Sequence, residues 1–167
     1  MFKSGVGFYA LFGYGWWLMG SSSWHLMSVT VPLGGLIALA LMLAARRVLP
    51  ASAGGPPPLE QRRAFGRINA IQWILIAAIA TICGAFGVPT LIAPLVAVVV
   101  GAHFLPLATA FAEPRLRVPG ALLIAVGLAG VLLWALGASH GTVFTTAGVG
   151  SAAVLWSTAL WRLTAAA

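Results

Sequence analysis

The chain has 167 residues, of which 61% are hydrophobic and 7% are charged, and its formal net charge is +7. A soluble domain carries about 25% charged residues and about 45–50% apolar ones, so this composition excludes the soluble enzyme classes. One cysteine also excludes an internal disulfide framework. With a mean hydropathy of +1.04, the sequence predicts an integral membrane protein.

The apolar stretches predict an all-α fold with six transmembrane helices. A membrane-crossing helix needs roughly 20 mostly apolar residues, and turn-forming serines, glycines and prolines separate the stretches that meet this need. The predicted spans cover residues 5–20, 28–45, 67–87, 90–112, 118–138 and 142–161. The one longer connection, residues 46–66, is too short to fold alone. We therefore expect a single transmembrane domain.

The basic residues predict the orientation, because cytoplasmic loops collect lysine and arginine. With six spans, every basic residue falls on the same side of the membrane: Lys3, Arg46, Arg47, Arg62, Arg63, Arg67, Arg115, Arg117 and Arg162. Both termini are then cytoplasmic, in a bacterial-type inner membrane. The positive charge is therefore explained by the orientation of the chain in the membrane. Its expected partner is the anionic headgroups of membrane lipids rather than nucleic acid.

The first span has a second interpretation. Lys3, the apolar run after it and the serines at 21–23 resemble a cleavable signal peptide. However, the run contains six bulky aromatic residues, which are typical of an interfacial belt rather than of a signal-peptide core. We therefore expect the segment to remain as the first span.

His103 is the clearest candidate for a functional residue. It lies in the predicted fourth span, roughly 13 Å from the cytoplasmic end, between Pro94 and Pro106. Ionisable groups at membrane depth are costly and mark functional sites by default. One hypothesis is a solute-binding or proton-accepting cavity around this side chain. The alternative is a neutral histidine that joins two helices by a hydrogen bond.

Several residues are candidate companions of His103 in a ligand-binding cavity. Asn69, Gln72 and Trp73 share a face of the predicted third span at helical spacing. Glu113 lies at the mouth of the fourth span and extends this group. Together these residues form the first predicted binding site.

A second candidate site lies on the extracytoplasmic side. Trp17 and Trp134 are predicted to line a pocket for an organic ligand, although belt anchoring also explains them. His25, Cys83 and His140 are candidate ligands for a transition metal, alone or in a tetrapyrrole. No local spacing motif connects these three residues, and the sequence requires no cofactor.

The chain lacks the motifs of the common membrane enzymes and pumps. Glu60 and Glu113 are its two carboxylates, and it has no P-loop, no His-Glu-x-x-His and no serine nucleophile elbow. Paired-acid catalysis and a buried acidic proton relay are therefore excluded, and we do not expect an enzyme. Glycines 34, 35, 127, 130, 148 and 150 predict close helix packing, within the bundle or at a homodimer face.

Residues 101–108 read Gly-Ala-His-Phe-Leu-Pro-Leu-Ala. This stretch resembles a family of small six-span bacterial membrane proteins without an assigned activity, which implies a compact six-helix bundle. The chain is also similar in size to the six-helix substrate-binding subunits of vitamin uptake systems. Our leading hypothesis is a membrane protein that binds or transports a small solute near His103, paired with a second copy or another membrane protein. The alternatives are an accessory subunit without a ligand and a tetrapyrrole- or metal-binding protein.

Overall fold

The computed structural model describes residues 5–49 and 58–165, and within these residues the fold is all-helical. The all-α prediction is therefore confirmed. Short 3-10 turns at Pro89–Leu91 and Pro114–Leu116 lead into the fourth and fifth helices. The six helices are α1 (Val6–Ser21), α2 (Met27–Val48), α3 (Leu59–Ala85), α4 (Ile92–Ala110), α5 (Arg117–Ala135) and α6 (His140–Thr164).

Five of the helices, α2 to α6, are long and apolar enough to cross a membrane when the 3-10 turns before α4 and α5 are included. The first helix differs. It has 16 residues and is about 24 Å long, less than the roughly 30 Å of a typical hydrocarbon core. Six crossings therefore remain a prediction.

The second and third helices are longer than the predicted spans and extend into the predicted loop at residues 46–66. Helix α2 ends at Val48 with Arg46 and Arg47 in its last turn. Helix α3 begins at Leu59 with Glu60 in its first turn. Both placements are favourable, because the helix dipole attracts cations at the C-terminus and anions at the N-terminus. Lys3 and loop residues 50–57, on which the topology prediction also draws, lie outside the described residues.

The contacts divide the chain into two compact units. Unit 1 comprises Met1–Ala53 and Gly148–Ala167, and unit 2 comprises Gly54–Ala147. Helices α1, α2 and most of α6 belong to unit 1, while α3, α4, α5 and the first two turns of α6 belong to unit 2. The single domain expected from the sequence stays a prediction.

In unit 1, glycines allow α1 and α6 to pack closely. A Cβ atom on Gly20 would lie 2.5 Å from the backbone nitrogen of Val149, closer than real Cβ atoms approach. Gly13 leaves room for the indole of Trp156. The Nε1–H of that indole donates to the carbonyl oxygen of Ala10 at 3.2 Å. Small residues thus set the approach of these two antiparallel helices.

In unit 2, glycines bring α4 and α5 into backbone contact. A Cβ atom on Gly101 would lie 2.6 Å from the carbonyl oxygen of Gly120, and one on Gly127 would lie 2.6 Å from that of Pro94. A Cβ atom on Gly130 would lie 2.8 Å from the Cβ of Pro94. The close packing expected at Gly127 and Gly130 therefore occurs within this unit.

Candidate functional site

The fourth helix has a second packing face, formed by residues spaced four apart. His103, Leu107 and Phe111 follow this spacing, which places them on one side of the helix. Phe111, which directly follows α4, contacts Phe65 of α3 with 6.2 Å between ring centroids. This face of α4 therefore lies against α3.

The third helix presents a narrow stripe to α4. Gln72 and Cys83 are its buried residues, and Ile68, Ile76 and Ile79 between and beside them are half-buried. The spacing of three or four residues is that of one helical face. Gln72 is 9% exposed, so α3 directs a nearly buried amide towards its neighbour.

Gln72 and His103 lie at the same level of the antiparallel pair formed by α3 and α4. The ring contact between Phe65 and Phe111 marks one end of this pair. From it, Gln72 lies seven residues along α3, about 10 Å, and His103 lies eight residues back along α4, about 12 Å. The fold therefore places Gln72 and His103 at similar depth along the pair of helices.

The polar atoms of this pair have no partner in the part of the chain that the structure describes. Gln72 Oε1 and both ring nitrogens of His103 are buried without a hydrogen bond. Leaving a buried polar group unbonded costs about 1–3 kcal/mol. A purely structural histidine would bond to the neighbouring helix, and that bond is not formed within residues 5–49 and 58–165.

The two prolines near His103 play different roles. Pro94 lies in the first turn of α4 and packs against Gly127 and Gly130, whereas Pro106 lies inside the helix. Pro106 has no N–H to donate to the carbonyl of Ala102, four residues earlier. Ala102 and Pro106 are both exposed, so this carbonyl is not part of the buried pair. Both prolines therefore flank His103 within α4, as predicted, and Pro106 is the one that lies beyond the first turn and removes a helical hydrogen bond.

The structure brings some of the predicted companions to His103 and leaves others apart. Asn69 is half-buried on the same stripe as Gln72, one turn earlier. Trp73 is 56% exposed, because consecutive helical residues point about 100° apart and Gln72 occupies the packed side. Glu113 follows the end of α4, and about 10 Å of helix separates His103 from that end. Asn69 and Gln72 are therefore the companions that the fold supports.

Trp17, one of the two tryptophans predicted to line a pocket, lies in a packed aromatic cluster of unit 1. The Nε1–H of Trp17 donates to the carbonyl oxygen of Thr30 at 2.7 Å and so joins α1 to α2. The ring centroids of Trp24 and Trp156 each lie 5.7 Å from that of Trp17. Trp134 belongs to unit 2, where it is 38% exposed. The polar atom of Trp17 that would contact a ligand already has a structural partner.

No described group of three or more His, Cys, Asp or Glu side chains is placed to hold a metal ion. His25 is exposed, and Cys83 is buried in the α3 stripe. His140 Nδ1 lies 2.8 Å from Thr90 Oγ1, and its ring stacks on Phe144 with centroids 4.2 Å apart. Sequence reasoning missed the contact between Thr90 and His140, because the residues are 50 positions apart and share no motif.

Two further buried hydroxyls in unit 1 have no hydrogen-bond partner in the described chain: Thr30 Oγ1 and Ser151 Oγ. Elsewhere the hydroxyls of Ser21, Thr81 and Thr158 donate to carbonyls four residues earlier in their own helices. Rotation about χ1 offers Thr30 and Ser151 the same type of bond. The ring of His103 contacts that of Phe104 edge to face with centroids 5.6 Å apart, but its two nitrogens have no such local hydrogen bond, and this distinguishes the α3–α4 site.

No protein-family model matches this chain, and no curated protein or solved structure matches it significantly. The resemblance of residues 101–108 to a family of six-span proteins therefore stays a prediction. The fold defines the chain as an all-helical protein with five helices suited to a membrane. The feature that points to a more specific function is the α3–α4 site, formed by Gln72 and His103.

Proposed function

We propose that this is a transporter-type or substrate-binding membrane protein that holds a small solute between α3 and α4. The observation that carries the proposal is the trio of buried, unpartnered atoms at one level: Gln72 Oε1, His103 Nδ1 and His103 Nε2. In hydrocarbon these atoms are costly unless something bonds to them. A solute with hydrogen-bonding groups removes that cost on binding, and this supplies a driving force for recognition.

The proposed topology has six crossings, with both termini on the cytoplasmic side of a bacterial-type inner membrane. Its support is the position of the described arginines at helix ends. Arg46 and Arg47 occur in the last turn of α2, Arg117 is the first residue of α5, and Arg162 is in the last turn of α6. With alternating crossings these ends share one side. The short α1 then crosses where the bilayer thins locally, which costs only fractions of a kcal/mol per Å.

A packed accessory subunit without a ligand is the competing hypothesis, and the α3–α4 interface weighs against it. An interface selected only for packing gains from leucine or phenylalanine at these positions, since each buries apolar surface without an unpaired atom. The site instead keeps an amide and an imidazole that do not bond to each other. Their polarity therefore needs a reason beyond helix association.

Substitution at the site tests the proposal. We expect His103→Ala and Gln72→Leu to abolish solute binding or flux while the purified protein stays folded and monodisperse. Thr109→Ala is the matched control, because Thr109 is an exposed polar residue of the same helix. Size-exclusion chromatography reports folding, and radiolabelled solute uptake into proteoliposomes reports flux. Unchanged uptake in both site variants would overturn the proposal.

A further inference from the structure

The charges around the α3–α4 site restrict what it can bind, on the premise that the proposed function holds. The sequence contains two carboxylates, and neither lies at the level of the site. Glu60 is in the first turn of α3, twelve residues and about 18 Å of helix before Gln72. Glu113 follows the end of α4. A bound cation would therefore have no counter-charge, and burying an unpaired charge is strongly unfavourable.

Anions are disfavoured for the corresponding reason. The nearest basic residue along α3 is Arg67, five residues before Gln72 and exposed. Five residues correspond to about 140° around a helix, so Arg67 lies on a different face from the stripe that contacts α4. Arg115 and Arg117 lie beyond the end of α4, in the turn and at the start of α5. Long arginine side chains near helix ends extend towards the membrane surface.

The unpartnered atoms also set the hydrogen-bonding character of the site. Gln72 Oε1 only accepts, and a neutral imidazole has one acceptor and one donor nitrogen. The Gln72 side chain also carries an NH2 group with two donor hydrogens. The site therefore offers both donors and acceptors. A solute that bonds to it must both donate and accept hydrogen bonds.

We infer that the solute is a small uncharged molecule that both donates and accepts hydrogen bonds, in the chemical class of urea, simple amides and short polyols. The half-buried Ile68 and Ile76 flank Gln72 by one turn on either side, and the buried Leu107 lies one turn from His103. Among these apolar neighbours, Asn69, Gln72 and His103 are the polar side chains of the site. The uncharged class therefore agrees with both the polar and the apolar lining.

The inference is tested by comparing uncharged and charged solutes in the same proteoliposomes. Urea, acetamide and glycerol represent the uncharged class, and methylammonium and acetate represent small cations and anions. We expect uptake of at least one uncharged solute to exceed that of protein-free vesicles. Gln72→Leu and His103→Phe should each lower this uptake at least about tenfold, since the loss of one buried hydrogen bond already corresponds to that factor. Thr109→Ala should leave it unchanged.

The uptake experiment distinguishes an error in the solute class from an error in the proposed function. Uptake of methylammonium or acetate that depends on His103, without uptake of the uncharged solutes, would overturn the uncharged class and leave the proposed function standing. Absence of any uptake or binding that depends on Gln72 or His103 would overturn both. Because Gln72→Leu and His103→Phe lie on different helices, failure of one variant to fold leaves the other to decide.

Discussion

The two packing faces of α4 are built on opposite principles. Towards α5, Gly101 and Gly127 let backbones touch. Towards α3, the same helix carries His103 at the level of Gln72, and both residues have buried polar atoms to which no described residue forms a hydrogen bond. Close packing stabilises the face towards α5. The face towards α3 carries the free-energy cost of unbonded polar atoms, which packing does not offset. A helix that is closely packed on one side can carry polar groups without hydrogen bonds on the other side. This is the expected construction of a binding site.

The glycine face should show the largest effect on stability. A valine at position 101 must place its Cβ 2.6 Å from the carbonyl oxygen of Gly120, so α4 and α5 have to separate. We expect Gly101→Val to destabilise the protein by about 3 kcal/mol or more, measured by thermal unfolding in detergent. Gly84→Val is the control, since a Cβ there meets nothing within 4 Å. Equal stability of the two variants would remove the distinction between the faces.

The tryptophan cluster of unit 1 tests whether glycine packing also governs helices away from α4. A Cβ on Gly34 would lie 2.7 Å from Nε1 of Trp17 and would displace the indole from the carbonyl of Thr30. We expect Gly34→Val to cost about 2 kcal/mol and to alter tryptophan fluorescence. At the adjacent Gly35 the nearest atom, the Tyr14 hydroxyl oxygen, lies at 3.7 Å, so Gly35→Val serves as the control. An effect at 35 as large as that at 34 would contradict the packing.

Substitution on the polar face should leave the stability of the protein unchanged or raise it. Gln72→Leu removes a buried acceptor that lacks a partner and retains the apolar contacts of the side chain. We expect this variant to be as stable as the wild-type protein, or more stable by about 1 kcal/mol, while solute binding is lost. Thermal unfolding without solute measures the change. Destabilisation by more than about 1 kcal/mol would indicate that the amide holds the helices together.

The smallest effect is expected where polar partners are already paired. Thr90 and His140 form a hydrogen bond in an exposed position, so water can replace either partner. We expect Thr90→Val to lower the free energy of unfolding by about 0.5 kcal/mol and to leave solute uptake unchanged. A large loss of uptake would move the functional site from the α3–α4 level to this end of unit 2.

Helix existence could be predicted from the sequence because the apolar runs are long and the turns between them are rich in glycine, proline and serine. The residues at which the helices begin and end were less predictable. Arg46 and Arg47 mark the end of a span, yet the helix continues to Val48, since charged residues are compatible with a helix outside the hydrocarbon. Helix α3 begins at Leu59, with Glu60 in its first turn, well before its apolar part. Apolar length predicts where a bilayer fits, whereas a helix can extend through charged residues beyond that length.

The site was predictable in part. His103 could be recognised from its isolation in an apolar run, and helical spacing connected it with Asn69 and Gln72. Spacing could not exclude Trp73, because a face that includes residues 69, 72 and 73 is broader than the stripe that α4 covers. Nor could it show that Trp17 bonds to Thr30. Contacts between distant parts of the chain depend on helix register, which the local sequence does not encode.

Nitrogen NMR of histidine in lipid bilayers tests the central claim most directly. The chain has three histidines, so ¹⁵N-histidine labelling gives few signals, and His103→Phe assigns the one of interest. We predict that urea, acetamide or glycerol shifts both His103 nitrogen resonances, that His25 and His140 do not respond, and that Gln72→Leu reduces the shift. A His103 signal that ignores all three solutes and already shows a hydrogen bond to Gln72 would contradict the account.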